Sequence, residues 1–187
     1  MQRSTLVLAL LAALTATGCD SAGDTTDEGE VIAKVTYTLT PSGGGTAQVA
    51  TFNDANRNGV VDSGEITGVT LVAGETYTGV VAAFGSSGEI TNEIVAENDE
   101  HAFVYTVGGG MVGRLAVSST DNDAGGLPFR RTTTATVTGS TAATGTLQLE
   151  LVHFGSAAGK TAASGVPTAA MERDVNVTFP VTIAAGM

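Results

Sequence analysis

Residues 146–154 read TLQLELVHF, and the alternation inside them decides the class of fold. Leu147, Leu149 and Leu151 take every second position, with Gln148 and Glu150 between them. A period of two marks a half-buried strand, because successive side chains of an extended backbone point to opposite faces. The same count places His153 on the face of Leu149 and Leu151.

The pattern recurs along the chain. Alternating or β-branched runs predict strands at 31–40, 46–53, 66–72, 76–84, 101–107, 111–119, 130–138 and 174–183, besides the one quoted. Turn signals separate them: PSGGG, AGE, GGG, DNDAGG and GSTAATG. About nine short strands at this spacing predict an all-β fold, an antiparallel immunoglobulin-like β-sandwich. One short helical insertion is expected in ITNEIVAENDE, residues 90–100, with Thr91 as its cap and Ile94 and Val95 facing inward. Residues 155–173 read as a long Gly/Ala/Ser loop. Residues 31–187 make one domain of ordinary size.

Ahead of the domain, residues 1–18 have the form of a signal peptide. Arg3 supplies the positive charge, and the apolar run from Leu6 to Leu14 is too short to span a bilayer. The run ends at Ala16-Thr17-Gly18-Cys19, which resembles a bacterial lipobox and implies cleavage and acylation at Cys19. An ordinary secretory signal is the alternative. Cys19 is the only cysteine, so no disulfide can form within the chain. Residues 19–30 are small, polar and acidic, and are expected to be a disordered tether to a membrane. Acidic residues after the cysteine resemble a surface-export signal of Bacteroidota-like lipoproteins. The implied address is the outer membrane or cell surface, with a periplasm-facing anchor as the alternative.

Charge narrows the partners. The whole chain carries −11, and loss of Arg3 with the signal makes it −12. Such a surface disfavours nucleic acid and anionic lipid, and it attracts cations.

DANRNGVVDSGE, residues 54–65, carries the clearest chemistry. Asp54, Asn56 and Asn58 fill positions one, three and five of a twelve-residue calcium loop. Gly59 permits the turn, Val60 offers its carbonyl at position seven, Asp62 sits at nine and Glu65 closes the shell at twelve. The stretch resembles the loops of dockerin and EF-hand proteins, but strands flank it and it occurs once. Two neutral ligands imply modest affinity for Ca2+. A polar hairpin turn is the alternative.

A second constellation lies in EITNEIVAENDEHAFVY, residues 89–105. Glu93 and Glu97 are four apart, and His101 opens the following strand. The only other histidine, His153, closes the strand quoted first. Both imidazoles should point coreward at one end of the sandwich, where loops 54–65, 85–100, 120–129 and 155–173 also gather. Glu93, Glu97, His101 and His153 together would suit Zn2+ or Cu2+. The alternative is a pair of core histidines hydrogen-bonded to neighbouring glutamates.

ITNEIVAENDEHAFVY, with the TLQLELVH strand and the closing VNVTFPVTI, is similar to a group of Bacteroidota-type lipoproteins. Some of its members are labelled type 1 periplasmic-binding proteins, a description of two α/β lobes that a strand-rich chain cannot form. The resemblance implies an accessory role beside an outer-membrane receptor for nutrient or metal uptake.

Other chemistries lack their residues. GSAAGKT, residues 155–161, is one residue short of a phosphate loop and precedes no helix, so no nucleotide is expected. No thiol, HExxH or GxSxG is available for catalysis, and the absence of Trp disfavours a sugar platform. The expected function is a non-enzymatic cell-envelope lipoprotein that binds divalent cation. A purely structural or adhesive module with a calcium-stiffened loop is the alternative.

Overall fold

The computed structural model describes residues 31–62, 64–155, 159–160 and 171–186. The expected signal peptide, Cys19, the expected tether and most of the loop before residue 171 lie outside the described residues. Among the described residues there are eleven strands and one helix: β1 (Lys34–Pro41), β2 (Gln48–Asn53), β3 (Ile66–Thr67), β4 (Val69–Val72), β5 (Thr76–Gly85), β6 (Gly88–Glu89), α1 (Thr91–Ala96), β7 (His101–Gly109), β8 (Leu115–Ser119), β9 (Thr132–Val137), β10 (Ala143–His153) and β11 (Glu172–Ala184).

They form an all-β sandwich of two sheets. One runs β3-β2-β1-β5-β9-β8, with β6 paired to β5; the other runs β4-β11-β10-β7. Pairing is antiparallel throughout except for β4 and β11, which run parallel. The alternation read from the sequence becomes the core. Leu147, Leu149 and Leu151 of β10 and Val177, Phe179, Val181 and Ile183 of β11 are buried, as are Val35, Tyr37 and Leu39 of β1. Burying a side chain of this size contributes roughly 1.5–3 kcal/mol, and with no disulfide this burial is the main source of stability.

Three departures from the expected strands have local causes. The run 66–72 is split at Gly68, where the chain leaves one sheet as β3 and enters the other as β4. The run 111–119 starts late, because Met111–Arg114 closes a turn in which Arg114 and Leu115 donate to the Met111 carbonyl. β6 is a two-residue hairpin arm, too short to show a period.

The helix covers only Thr91–Ala96, and its cap position is Ile90, without a side-chain cap. Thr91 is buried instead: its hydroxyl donates to the Ala83 carbonyl and accepts from the Ala83 amide, pinning α1 to β5. Ile94 is buried as expected, and Val95 packs against the core.

Candidate functional site

The described residues of the four loops meet at one end, as strand alternation implies. Lys160 pairs with Asp123 at 2.8 Å and donates to the Asn98 carbonyl, joining the loops after β10, after β8 and after α1. Phe154 donates its backbone N–H to Glu100, and Arg57 reaches the Ser86 carbonyl at 3.4 Å. A cleft of about 230 Å³ opens between the 54–65 loop and β11, lined by Phe52, Asp54, Arg57, Val61, Asp174 and Val177 among others.

The 54–65 loop is folded around its own polar side chains. Asp54, buried at the end of β2, accepts from the amides of Asn58 at 3.2 Å and Gly59 at 2.9 Å. The carboxamide oxygen of Asn56 takes the Asn58 amide, and that of Asn58 takes the Val60 amide. Such short side-chain-to-backbone bonds are what Asn and Asp contribute to turns. The amide nitrogens of Asn56 and Asn58 both donate to Asp62 Oδ2, at 2.8 and 2.9 Å. Glu65 closes the loop, one oxygen on the Ala55 amide and the other on the Asp62 amide. Gly59 has φ +71°, which a side chain would strain. The Val60 side chain is exposed.

Asp54, Asn56, Asn58, Asp62 and Glu65 are thus gathered on one loop, with the Asn56 and Asn58 side-chain N–H groups donating to Asp62. Among the described residues, no three His, Cys, Asp or Glu side chains are grouped closely enough to hold an ion by themselves. A cation here depends on the Asn oxygens and backbone carbonyls as well.

The histidines also meet. His101 and His153 are directly paired across β7 and β10, and their rings stack with centroids 4.7 Å apart and planes 12° from parallel. His101 Nδ1 contacts the Glu97 carbonyl at 3.1 Å, and the Glu97 carboxylate stands 4.0 Å from the same nitrogen. His153 Nε2 lies 3.9 Å from Glu100. Glu93, one turn earlier on α1, is exposed. Of Glu93, Glu97, His101 and His153, the residues expected for zinc or copper, the two histidines contact each other and His101 contacts Glu97; no group of three or more His, Cys, Asp or Glu side chains that could hold an ion is found among the described residues.

Two residues that sequence reasoning missed complete this end. Asp174 is the first residue of the strand expected at 174–183, with no role read for its side chain. The β10–β11 register shifts between Leu151 and Val152, so Leu151 faces Val175 and Val152 faces Arg173. Asp174 is the extra residue of that bulge, and bulges re-aim side chains. Its carboxylate is fully buried, 3.4 Å from His101 Nε2. Burial alone would lower the His101 pKa, but Asp174, the Glu97 carbonyl and the charges of Asp174 and Glu97 outweigh it and raise it.

Lys160, the second, is the lysine of GSAAGKT. Its ammonium is buried against Asp123 and lies over the Phe129 ring, at 5.8 Å from the centroid. A lysine committed to a buried carboxylate is not available to phosphate. Burial pushes the Asp123 carboxyl up, but Lys160 and the Leu127 and Gly125 amides hold it below its ordinary value.

Set against known proteins, the chain matches no family model, no curated protein and no solved structure.

Proposed function

We propose that this chain is a non-enzymatic, lipid-anchored cell-envelope protein whose β-sandwich takes calcium in the 54–65 loop. The observation that carries the reading is the wrapping of that loop: Asp54 at its start, Glu65 at its end and the side chains of Asn56, Asn58 and Asp62 between them all bond inward. A cation would replace the N–H donors on Asp62 and tie the entry and exit of the loop more tightly. Oxygen-rich loops of this kind in extracellular modules bind with Kd of about 0.1–1 mM. The ion's role is to stiffen the rim of the cleft. The lipobox-like Ala16–Cys19 and the resemblance to Bacteroidota-type lipoproteins support an address at the outer membrane or cell surface, with a periplasm-facing anchor as the alternative, and a role beside an uptake receptor.

Calorimetric titration with CaCl2, on protein stripped with a chelator, tests the reading. Wild type should bind one ion and melt at higher temperature as calcium rises, by mass action. Asp54→Ala and Glu65→Ala should abolish both effects. A calcium response that survives in these variants sinks the assignment. Release of a Cys19→Ser chain from the membrane fraction would test the anchor separately.

A further inference from the structure

The outer face of the first sheet ends in a row that strand register sets. Lys34 of β1 stands directly opposite Asn53 of β2 on one side and Phe84 of β5 on the other. Facing residues of antiparallel strands share a face. Their chain neighbours Val35, Phe52 and Ala83 are buried in the core, so the row itself points outward. From Asn53 the chain enters the 54–65 loop, and from Phe84 it enters the turn at residues 85–88. Loop and turn flank a second cleft over the row, of about 590 Å³. Arg57 joins the two walls through its contact with the Ser86 carbonyl.

The charge of this cleft opposes that of the chain. There are 19 acidic and 8 basic side chains, yet two of the eight, Lys34 and Arg57, line this one cleft. Lys160 and Arg173 are paired with Asp123 and Glu150, whereas Lys34 and Arg57 meet no carboxylate among the described residues. The Lys34 ammonium lies over the Phe84 ring, 5.0 Å from its centroid. Arg57 commits one donor group of its guanidinium to the long 3.4 Å contact with Ser86, which leaves most of the fork available. Asp54 is the one carboxylate lining the cleft among the described residues, and both its oxygens are turned to the Asn58 and Gly59 amides. The hydroxyls of Ser86 and Ser87 and the exposed carboxamide of Asn53 add neutral donors around the two cations.

We propose that this cleft binds a phosphate monoester through Lys34 and Arg57. Such a group carries about −1.5 to −2 charge at pH 7 and three strong acceptor oxygens, which matches two cations with neutral donors beside them. A single carboxylate would neutralise one cation and leave the other. Arginine presents a planar fork to two oxygens, and lysine a point charge to a third. The cleft is larger than a bare phosphate fills and has the size of a small-ligand site, with room for an organic group beside Phe84. The acidic surface elsewhere repels polyanions, so the phosphate belongs to a small soluble molecule or to a lipid headgroup. Neither cation is a proposed calcium ligand, so the anion needs no calcium.

Calorimetric titration with sodium glycerol 3-phosphate tests the site, in chelator so that calcium cannot bridge the anion to the loop. Wild type should bind one molecule. Lys34→Gln and Arg57→Gln should each weaken binding about tenfold, as the loss of one charge-assisted contact does, with circular dichroism unchanged. Lys34 lies outside the 54–65 loop, so its variant reads the site even where Arg57→Gln disturbs that loop. Arg130→Gln removes a cation that lines a different cleft and should bind as wild type does. Flotation of Cys19→Ser protein with phosphatidylcholine vesicles, with and without phosphatidic acid, separates the two sources. Binding in solution that depends on Lys34 and Arg57 assigns a soluble phosphate ester, and binding confined to phosphatidic acid with the same dependence assigns a lipid headgroup. No binding to either probe, undiminished binding in Lys34→Gln, or an equal loss in Arg130→Gln would overturn the proposal.

Discussion

Gly68 lies directly against the backbone of Pro180: a Cβ at residue 68 would overlap the Pro180 carbonyl oxygen and stand 2.9 Å from its carbon. This close approach lets the chain cross from β3 in one sheet to β4 in the other, beside β11. Backbone cannot retreat as a flexible side chain can. Gly68→Ala is therefore expected to lower unfolding free energy by about 3 kcal/mol or more, since overpacking against backbone is poorly relieved. Urea unfolding measures it. Gly43→Ala, whose Cβ would meet only the Glu75 carboxylate at 3.6 Å, should change stability by less than about 0.5 kcal/mol.

Lys160 and Asp123 make the opposite kind of contact, one that is costly to break and cheap to replace as a pair. Lys160→Ala leaves Asp123 buried beside Phe129 without its counter-ion, and should cost about 3 kcal/mol. Lys160→Met combined with Asp123→Asn should cost clearly less, because no charge is stranded. Asp123 also sets an acid limit. Its folded pKa is lowered, so its contribution is present above the unfolded value of about 3.8 and fades as pH falls through the folded one. Acid titration of wild type against the double variant should show the wild-type advantage vanish below that range.

What the residues disclosed and what they hid divide along a physical line. Period-two burial is local, so Leu147, Leu149 and Leu151 announce β10, and the two-sheet fold follows from many such runs. The meeting of His101 and His153 was legible for the same reason: alternation fixes the face and strand direction fixes the end. Asp174 was not legible, because a bulge breaks the alternation and nothing in ERDVNV marks where register slips. Lys160 was hidden differently. Its partner Asp123 is 37 positions earlier on another loop, and no local pattern links them. The crossing at Gly68 sits in between: ITGVTLV shows the glycine, but only the approach of Pro180 shows why it is there.

Within the 54–65 loop, the side chains hold the backbone even before any ion arrives. Asp54→Ala removes the acceptor for the Asn58 and Gly59 amides, and those donors are partly shielded by the loop itself. In chelator this variant should unfold about 2 kcal/mol more easily than wild type. Val60→Ala, at an exposed position, should be neutral within about 0.5 kcal/mol. The gap between wild type and Asp54→Ala should widen when calcium is added, because only the wild type gains from binding. Melting curves at several calcium concentrations separate the two contributions.

The last prediction concerns the tyrosines of the core. Tyr37 is buried on β1, and its hydroxyl bonds the Thr133 hydroxyl of β9 at 2.7 Å, across β5, where the lack of a side chain at Gly79 makes room. Burial raises the Tyr37 phenol, the Thr133 bond lowers it slightly, and the outcome is about 12. Burial likewise holds Tyr105 well above its ordinary value, helped by the neighbouring Tyr37 and Asp121 and opposed by Arg130. The folded chain thus keeps protons that the unfolded chain releases near pH 10. The contribution of these two tyrosines is whole below pH 10 and falls as pH rises toward 12, since the unfolded state binds fewer protons there. Ultraviolet titration of the folded protein should show Tyr37 and Tyr105 resisting ionisation at pH 11, and both titrating at lower pH in denaturant. Tyr37→Phe should cost about 1 kcal/mol at neutral pH, the net worth of the Thr133 bond. Above pH 10 that deficit should shrink, because the variant no longer contributes the Tyr37 share of the alkaline slope. A deficit that stays constant to pH 12 would show that the Tyr37 phenol ionises alike in both states.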